Sequence, residues 1–293
     1  MSFLSYLFSG ISLGSVYAII ALGYTMVYGI AKMLNFAHGD VIMVGAYVCF
    51  FSISRWNIPV IPSIILAMLA CTLLGIIIER LAYKPLRSAT SLAVLITAIG
   101  VSYFLQNAAQ IMWTSNPKVF PSVVGDKSIK LFNGGLSVPV ISLTTMVSCV
   151  IIMIALTWFT GKTKMGKAMR ACSEDKGAAQ LMGINVNATI SMTFAIGSAL
   201  AAIAGVLLCS AYPTLMPTTG SMPGIKAFTA AVFGGIGSIP GAMLGGILLG
   251  VIEIFSKAYI STQLSDAIVF AVLIVILLVR PTGLLGKRVT EKV

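Results

Sequence analysis

Charge is scarce in this 293-residue sequence. Only 9% of its residues are Asp, Glu, Lys or Arg, against roughly one quarter in soluble domains. Such a chain lacks the polar surface to cover a fold in water. It holds a single histidine, His38, and eight carboxylates. No Ser–His–Asp triad, paired-carboxylate site or metal-ligand cluster can be drawn from them, which argues against an enzyme and implies no cofactor and no metal. The five cysteines, Cys49, Cys71, Cys149, Cys172 and Cys209, are odd in number and scattered. With no CxxC among them, a disulfide framework or metal site is not expected. Met1–Ser9 carries no basic stretch and no evident cleavage site, so the first apolar block is expected to be retained as a span. Neither an internal repeat nor a low-complexity tract is evident.

Hydrophobic residues fill the gap, at 58% of the chain and a mean hydropathy of +1.01. They come in long continuous blocks. A block of about 20 apolar residues matches the roughly 30 Å hydrocarbon core as a helix. Barrel strands would alternate over about ten residues instead. The expected spans are Gly10–Gly29, Gly39–Ser54, Val60–Ile78, Ser91–Trp113, Val140–Thr160, Ile190–Tyr212, Gly224–Gly237, Gly241–Phe255 and Ser265–Val279. The expected fold is all-α, a polytopic transmembrane bundle of 8–9 spans in one domain, 1–293. The short segments 39–54 and 224–237 are candidates for broken or re-entrant helices.

The net charge of +11 points to membrane orientation rather than to nucleic acid, because the basic residues sit in short loops. With the loop 161–189 in the cytoplasm, Lys32, Arg80, Lys84, Arg87, Lys162, Lys164, Lys167, Arg170, Lys176, Arg280, Lys287, Arg288 and Lys292 share its side. Arg55, Lys118, Lys127, Lys130 and Lys257 lie opposite, and Lys226 is assigned to neither. This puts the N-terminus outside and the C-terminus inside for nine crossings. The outer connection 114–139, with turn signals at Asn116-Pro117 and Asn133-Gly134-Gly135, is expected to form a small cap.

The loop 161–189 contains Gly161-x4-Gly166-Lys167, which superficially matches a phosphate-binding loop. Ala168 stands where Ser or Thr must hold magnesium, and no strand precedes it, so no nucleotide site is expected. A short helix is expected instead, with Ser173 as N-cap, Glu174 and Asp175 in the first turn, and Gly183 as its stop. Ala178, Leu181 and Met182 give it an apolar stripe. Such a helix can lie in the lipid interface, cover the protein's own core, or dock into a partner.

Two further stretches draw notice. Asn35, His38 and Asp40 lie between the first two spans. Ionisable groups at membrane depth are costly and often functional, so a pathway or gate role is one reading. The plainer one makes Asn35 and Asp40 helix caps with His38 partly wet. Gly234–Gly241, with Gly235, Gly237 and Pro240, is either a helix break lining a cavity or a short turn. Gly10-x3-Gly14, Gly241-x3-Gly245 and Gly246-x3-Gly250 allow close helix approach, within the chain or against another. Glu253 and Lys257 have i,i+4 spacing near an outer helix end.

Five stretches resemble the permeases of branched-chain amino acid ABC importers of the LivH type: 10–47, 79–87 (ERLAYKPLR), 166–186 (GKAMRACSEDKGAAQLMGINV), 233–253 (FGGIGSIPGAMLGGILLGVIE) and 280–287 (RPTGLLGK). The resemblance implies a transport subunit of the inner (plasma) membrane forming half of a transmembrane pathway. The implied partners are a second related permease, two cytoplasmic ATPase subunits, a periplasmic amino-acid-binding protein and membrane lipid, with no nucleic acid. It puts the ATPase contact on the cytoplasmic loop, here Arg170, Ser173, Glu174, Asp175, Ala178, Leu181, Met182 and Gly183. Relatives also import urea or short amides. A permease for another small solute, including a sugar, and a stand-alone secondary transporter remain as rivals.

Overall fold

The computed structural model describes residues 2–87, 89–125, 127–131 and 136–286. Asn133-Gly134-Gly135 and the basic residues Lys287, Arg288 and Lys292 lie outside the described residues. Eleven α-helices carry the described chain: α1 (Ser2–Ala31), α2 (His38–Ser54), α3 (Val60–Ile78), α4 (Ser91–Trp113), α5 (Val140–Lys162), α6 (Lys164–Glu174), α7 (Lys176–Leu181), α8 (Val186–Ala211), α9 (Ser221–Gly234), α10 (Ile239–Tyr259) and α11 (Ser265–Val279). Six helices are long and apolar enough to cross a membrane, and α2 and α11 are shorter apolar helices. The all-α membrane bundle expected from the hydropathy is therefore present. A π-helical turn, Glu79–Tyr83, extends α3.

Outside the helices, β2 (Ser128–Leu131) pairs antiparallel with β3 (Leu136–Pro139), and β1 (Lys118–Val119) pairs with β4 (Thr214–Leu215). The β1–β4 pair ties the described part of the connection 114–139 to the segment that follows α8.

Burial sorts the helices into two classes. Residues of α1, α2 and α8 dominate the core. On α3, α4, α5 and α11 few residues are buried. Apolar residues exposed on α3 and α5 are what a helix needs against lipid tails. The α1–α10 contact is closest where glycines remove side chains. A Cβ on Gly10 would stand 2.9 Å from the Val251 Cα, and one on Gly14 would stand 2.6 Å from the Ile247 Cα. The small-xxx-small spacing thus serves packing within the chain.

The helix contacts contain a repeat that the residue order hides. α1 packs on α10 as α8 packs on α3; α1 meets α9 as α8 meets α2; and α2 lies on α3 as α9 lies on α10. α1–α3 and α8–α10 are thus two copies of one three-helix unit. They run in opposite directions, since α1 ends at Ala31 beside the loop helix from which Lys176 reaches it, and α8 begins just after that helix. Inverted repeats of this kind place their broken helices at the repeat interface.

Here the broken elements are α2 and α9. After α1 the chain turns at Lys32 (φ +58°) and runs back into the bundle before α2 starts. His38, the first residue of α2, lies against Gly23, eight residues before α1 ends, or about 12 Å back along its axis. The chain after α8 likewise returns through 212–220 before α9 starts. The two helix starts abut: a Cβ on Gly39 would lie 2.6 Å from the Gly220 carbonyl oxygen, and one on Gly224 would lie 2.9 Å from the Gly39 Cα.

Candidate functional site

The loop 161–189 folds into two short helices. The Thr163 hydroxyl accepts from the Gly166 amide (2.9 Å) and starts α6. Asp175 starts α7, its carboxylate accepting from the Gly177 and Ala178 amides (2.7 and 3.0 Å). Asp175, not Ser173, is therefore the N-cap. Ser173 lies in the last turn of α6, where its hydroxyl donates to the Arg170 carbonyl (2.7 Å). Glu174 ends α6 rather than opening the next helix. Both residues suit a cap chemically. The extended backbone at Asp175 (φ −149°, ψ 117°) decides, because only there can a side chain fold back onto the next amides. Gly183 stops α7 in the left-handed region (φ +81°).

Two contacts fix α7 to the bundle. Ala179 is buried. The Lys176 amine donates to the Ala31 carbonyl at the end of α1 (2.9 Å), where a helix terminus favours a cation. Burial, then Arg87 and Lys32, lower the Lys176 pKa from its usual 10.5. On the opposite face Ala178 is exposed, with Leu181 at 90% and Met182 at 83% exposure. The Arg170 guanidinium donates to the Gly161 carbonyl (3.1 Å), bracing α6 against the end of α5.

The second candidate group lies where α2 and α9 meet. Asn35, His38 and Asp40 are all buried. Asn35 and Asp40 do not cap α2, whose start has no side-chain cap, and His38 is not wet. Each carries out a different task. Asn35 accepts from the Tyr83 hydroxyl (2.9 Å), tying the returning loop to the π-helical turn. His38 packs its ring on Tyr24, centroids 4.6 Å apart, and its Nε2 has no hydrogen-bond partner among the described residues. Asp40 accepts from the Gln106 amide of α4 (2.9 Å), and the same amide donates to Ser102 (3.3 Å) and to Ser221 at the start of α9 (3.2 Å). Gln106 thereby joins both half-helix starts. The sequence reasoning missed Gln106 and Ser221; a carboxamide inside an apolar span is the signal that marks Gln106.

Gly235, Gly237 and Pro240 are not brought to this junction. Gly235 and Gly237 take positive φ (+103° and +92°) in the turn joining α9 to α10. Pro240 sits in the first turn of α10, where its missing N–H costs nothing. The stretch is a short turn at the end of α9, not a break within a helix. The segment after α11 closes over it, the Leu284 and Leu285 amides donating to the Phe233 and Gly234 carbonyls (2.9 and 3.0 Å).

Glu253 has more to do than pair with Lys257. It is buried and accepts from Lys257 (2.6 Å), Lys226 (2.8 Å) and the Tyr17 hydroxyl (2.9 Å), and Lys226 also bridges to Asp266 (2.7 Å). This network staples α1, α9, α10 and α11 together. A second buried carboxylate, Glu79, pairs with Arg87 and accepts from Ser191 of α8 (2.6 Å).

The family model for the permease component of branched-chain amino acid transport systems matches residues 6–277. The chain belongs to this family. The high-affinity branched-chain amino acid transport permease LivH of Salmonella typhimurium is 48% identical, over 99% of this chain and 98% of the relative. LivH of Escherichia coli K12 is 47% identical over the same shares. BraD of Pseudomonas aeruginosa is 46% identical, again over 99% and 98%. The chain is thus a multi-pass permease subunit of the inner membrane and not an enzyme.

Proposed function

We propose that this permease carries branched-chain amino acids inward as half of the transmembrane pathway of an ABC importer. Near-complete coverage by relatives with that printed activity supports the solute, and supports it over urea, short amides or sugars. The partners in this reading are a second related permease, two cytoplasmic ATPase subunits and a periplasmic binding protein. The whole chain acts as one permease domain. It crosses the membrane with nine elements, α1–α5 and α8–α11, of which α2 and α9 complete their crossings through the re-entrant loops 32–37 and 212–220.

The observation that carries the mechanism is α7. A capped helix that exposes Leu181 and Met182 almost fully while anchoring Lys176 on the end of α1 is suited to take force from a partner. Leu181, Met182 and Ala178 form the ATPase contact in this reading, with Asp175 and Gly183 fixing the helix ends and Arg170, Ser173 and Glu174 shaping α6 behind it. Closure of the ATPases pushes α7, α7 pushes α1, and the inverted units rock about their interface. A stand-alone transporter has no use for that exposed patch.

The test is reconstitution with the ATPase, second permease and binding protein. Leu181→Asp/Met182→Asp is expected to insert and purify normally yet hydrolyse ATP without leucine uptake. Normal uptake by the double variant, or full-speed transport by the isolated chain without any ATPase, overturns the reading.

A further inference from the structure

We propose that the outer half of one face of α4, marked by Gly100, Tyr103, Asn107 and Gln110, lines the water-filled route of the solute. The inference rests on the import reading and names the part of this chain that the solute meets. The exposed faces of the outer helices differ in one stretch. On α3 the exposed positions recur as Ile61, Ile65, Leu69, Leu73 and Ile77, and on α5 as Leu143, Val147, Ile151, Ile154 and Trp158. Both are faces for lipid. On α4 the exposed stripe is apolar in its inner half, at Leu92, Ile96 and Ile99, and polar in its outer half, where Asn107 and Gln110 are exposed beside Tyr103; a Cβ on Gly100 would meet no described atom within 4 Å. Asn107 lies six residues from the end of α4, about 9 Å into the membrane along its axis. The Asn107 amide donates to the Tyr103 carbonyl (2.7 Å), and its remaining exposed polar atoms are costly in hydrocarbon and unremarkable in water.

Two openings lie at the ends of this helix. At the outer end a pocket of about 540 Å³ is bounded by Val48 and Phe51 of α2, by Arg55 just after it, and by Met112, Trp113 and Thr114. At the inner end a pocket of about 280 Å³ is bounded by Ser91 and Val94 of α4, with Tyr28, Lys32 and Lys176. Behind the polar stretch, Gln106 holds Asp40 and Ser221 at the abutting starts of α2 and α9, so movement of α4 is felt where the two inverted units meet. A zwitterionic amino acid needs donors for its carboxylate and acceptors for its ammonium. Uncharged carboxamides and a phenol supply both and bind weakly enough to let go.

The experiment places single cysteines in the complete importer in proteoliposomes and adds a membrane-impermeant charged methanethiosulfonate. All five native cysteines are buried, so the unaltered complex gives the background. Asn107→Cys and Tyr103→Cys are expected to react at least about tenfold faster than Leu69→Cys on α3 and Val147→Cys on α5, because thiolate forms in water and not in lipid. Saturating leucine slows Asn107→Cys only. If Asn107→Cys is as inert as Leu69→Cys in a complex that still imports leucine, α4 faces lipid or a dry subunit contact and the inference is wrong. Failure of the unaltered complex to import leucine sinks the importer reading instead, and the reactivity contrast in the same vesicles still decides whether α4 faces water.

Discussion

The two half-helices, α2 and α9, meet end to end in equivalent places of the inverted units yet carry opposite chemistry. α2 opens with His38 and Asp40, and Asp40 is held by the neutral amide of Gln106. α9 carries Lys226, locked between Glu253 and Asp266. A charge held by two counter-charges is a fixture, since moving it leaves a bare ion in low dielectric. A carboxylate held by an amide on a thinly packed helix can exchange its partner cheaply. The difference assigns rigidity to the α9 unit and adjustability to the α2 unit.

The comparison breaks first at Glu253. Glu253→Gln leaves two ammonium groups and Tyr17 around a neutral amide, and is expected to destabilise the protein by about 3–5 kcal/mol. Asp40→Asn keeps an acceptor for Gln106 and is expected to cost about 1 kcal/mol, while changing uptake more than stability. Thermal unfolding of the two variants in detergent checks the order. Equal losses would mean that α2 is as rigidly fixed as α9.

The junction itself gives the next contrast. A side chain on Gly220 runs into the Gly39 backbone, whereas one on Gly100 enters open space. Gly220→Val is expected to lose about 1–3 kcal/mol from overpacking where no backbone can yield. Gly100→Ala is expected to gain up to about 1 kcal/mol, the helix-propensity difference between the two residues. Melting temperatures of the two variants against the parent test both signs.

Much of this fold was legible in the sequence because lipid permits so few structures. The bounds of α3, α4 and α11 coincide with the apolar blocks, each limited by a turn or polar residue. Both ends of α1 and the start of α8 run past their blocks because helices continue through the interface, where apolarity no longer marks them. Three features were not legible. The inverted repeat lies in which helices touch, not in which residues they share, so no periodicity reveals it. The cap at Asp175 rather than Ser173 depends on one backbone torsion that both neighbours' chemistry allows. Lys226 had no side of the membrane to belong to, because it finds its counter-charges on α10 and α11, distant in sequence. The apolar stripe of Ala178, Leu181 and Met182, by contrast, was readable from helical spacing, while its exposure, rather than burial against the core, came only with the structure.

The smallest expected effect concerns the ends of the two long helices. Lys176 donates to the last residue of α1, while among the described residues no lysine hydrogen-bonds a carbonyl at the end of α8. Its pKa in the folded protein lies below 10.5, with burial as the main cause and Arg87 and Lys32 adding to it. The unfolded chain therefore holds more protons than the folded one between that lowered value and 10.5, and this lysine makes stability rise with pH across that window. The neutral amine keeps its hydrogen bond to Ala31, so relief of the charge is not offset by loss of the contact. Lys176→Met removes the hydrogen bond and the titration together. Relative to the parent, the variant is expected to lose a little stability near about pH 8 and more near about pH 10, where the parent has gained. Unfolding midpoints of both proteins across this range measure the difference. A gap that narrows with rising pH would show that Lys176 stabilises α1 through its charge, and that the two helix ends differ in electrostatics rather than in hydrogen bonding.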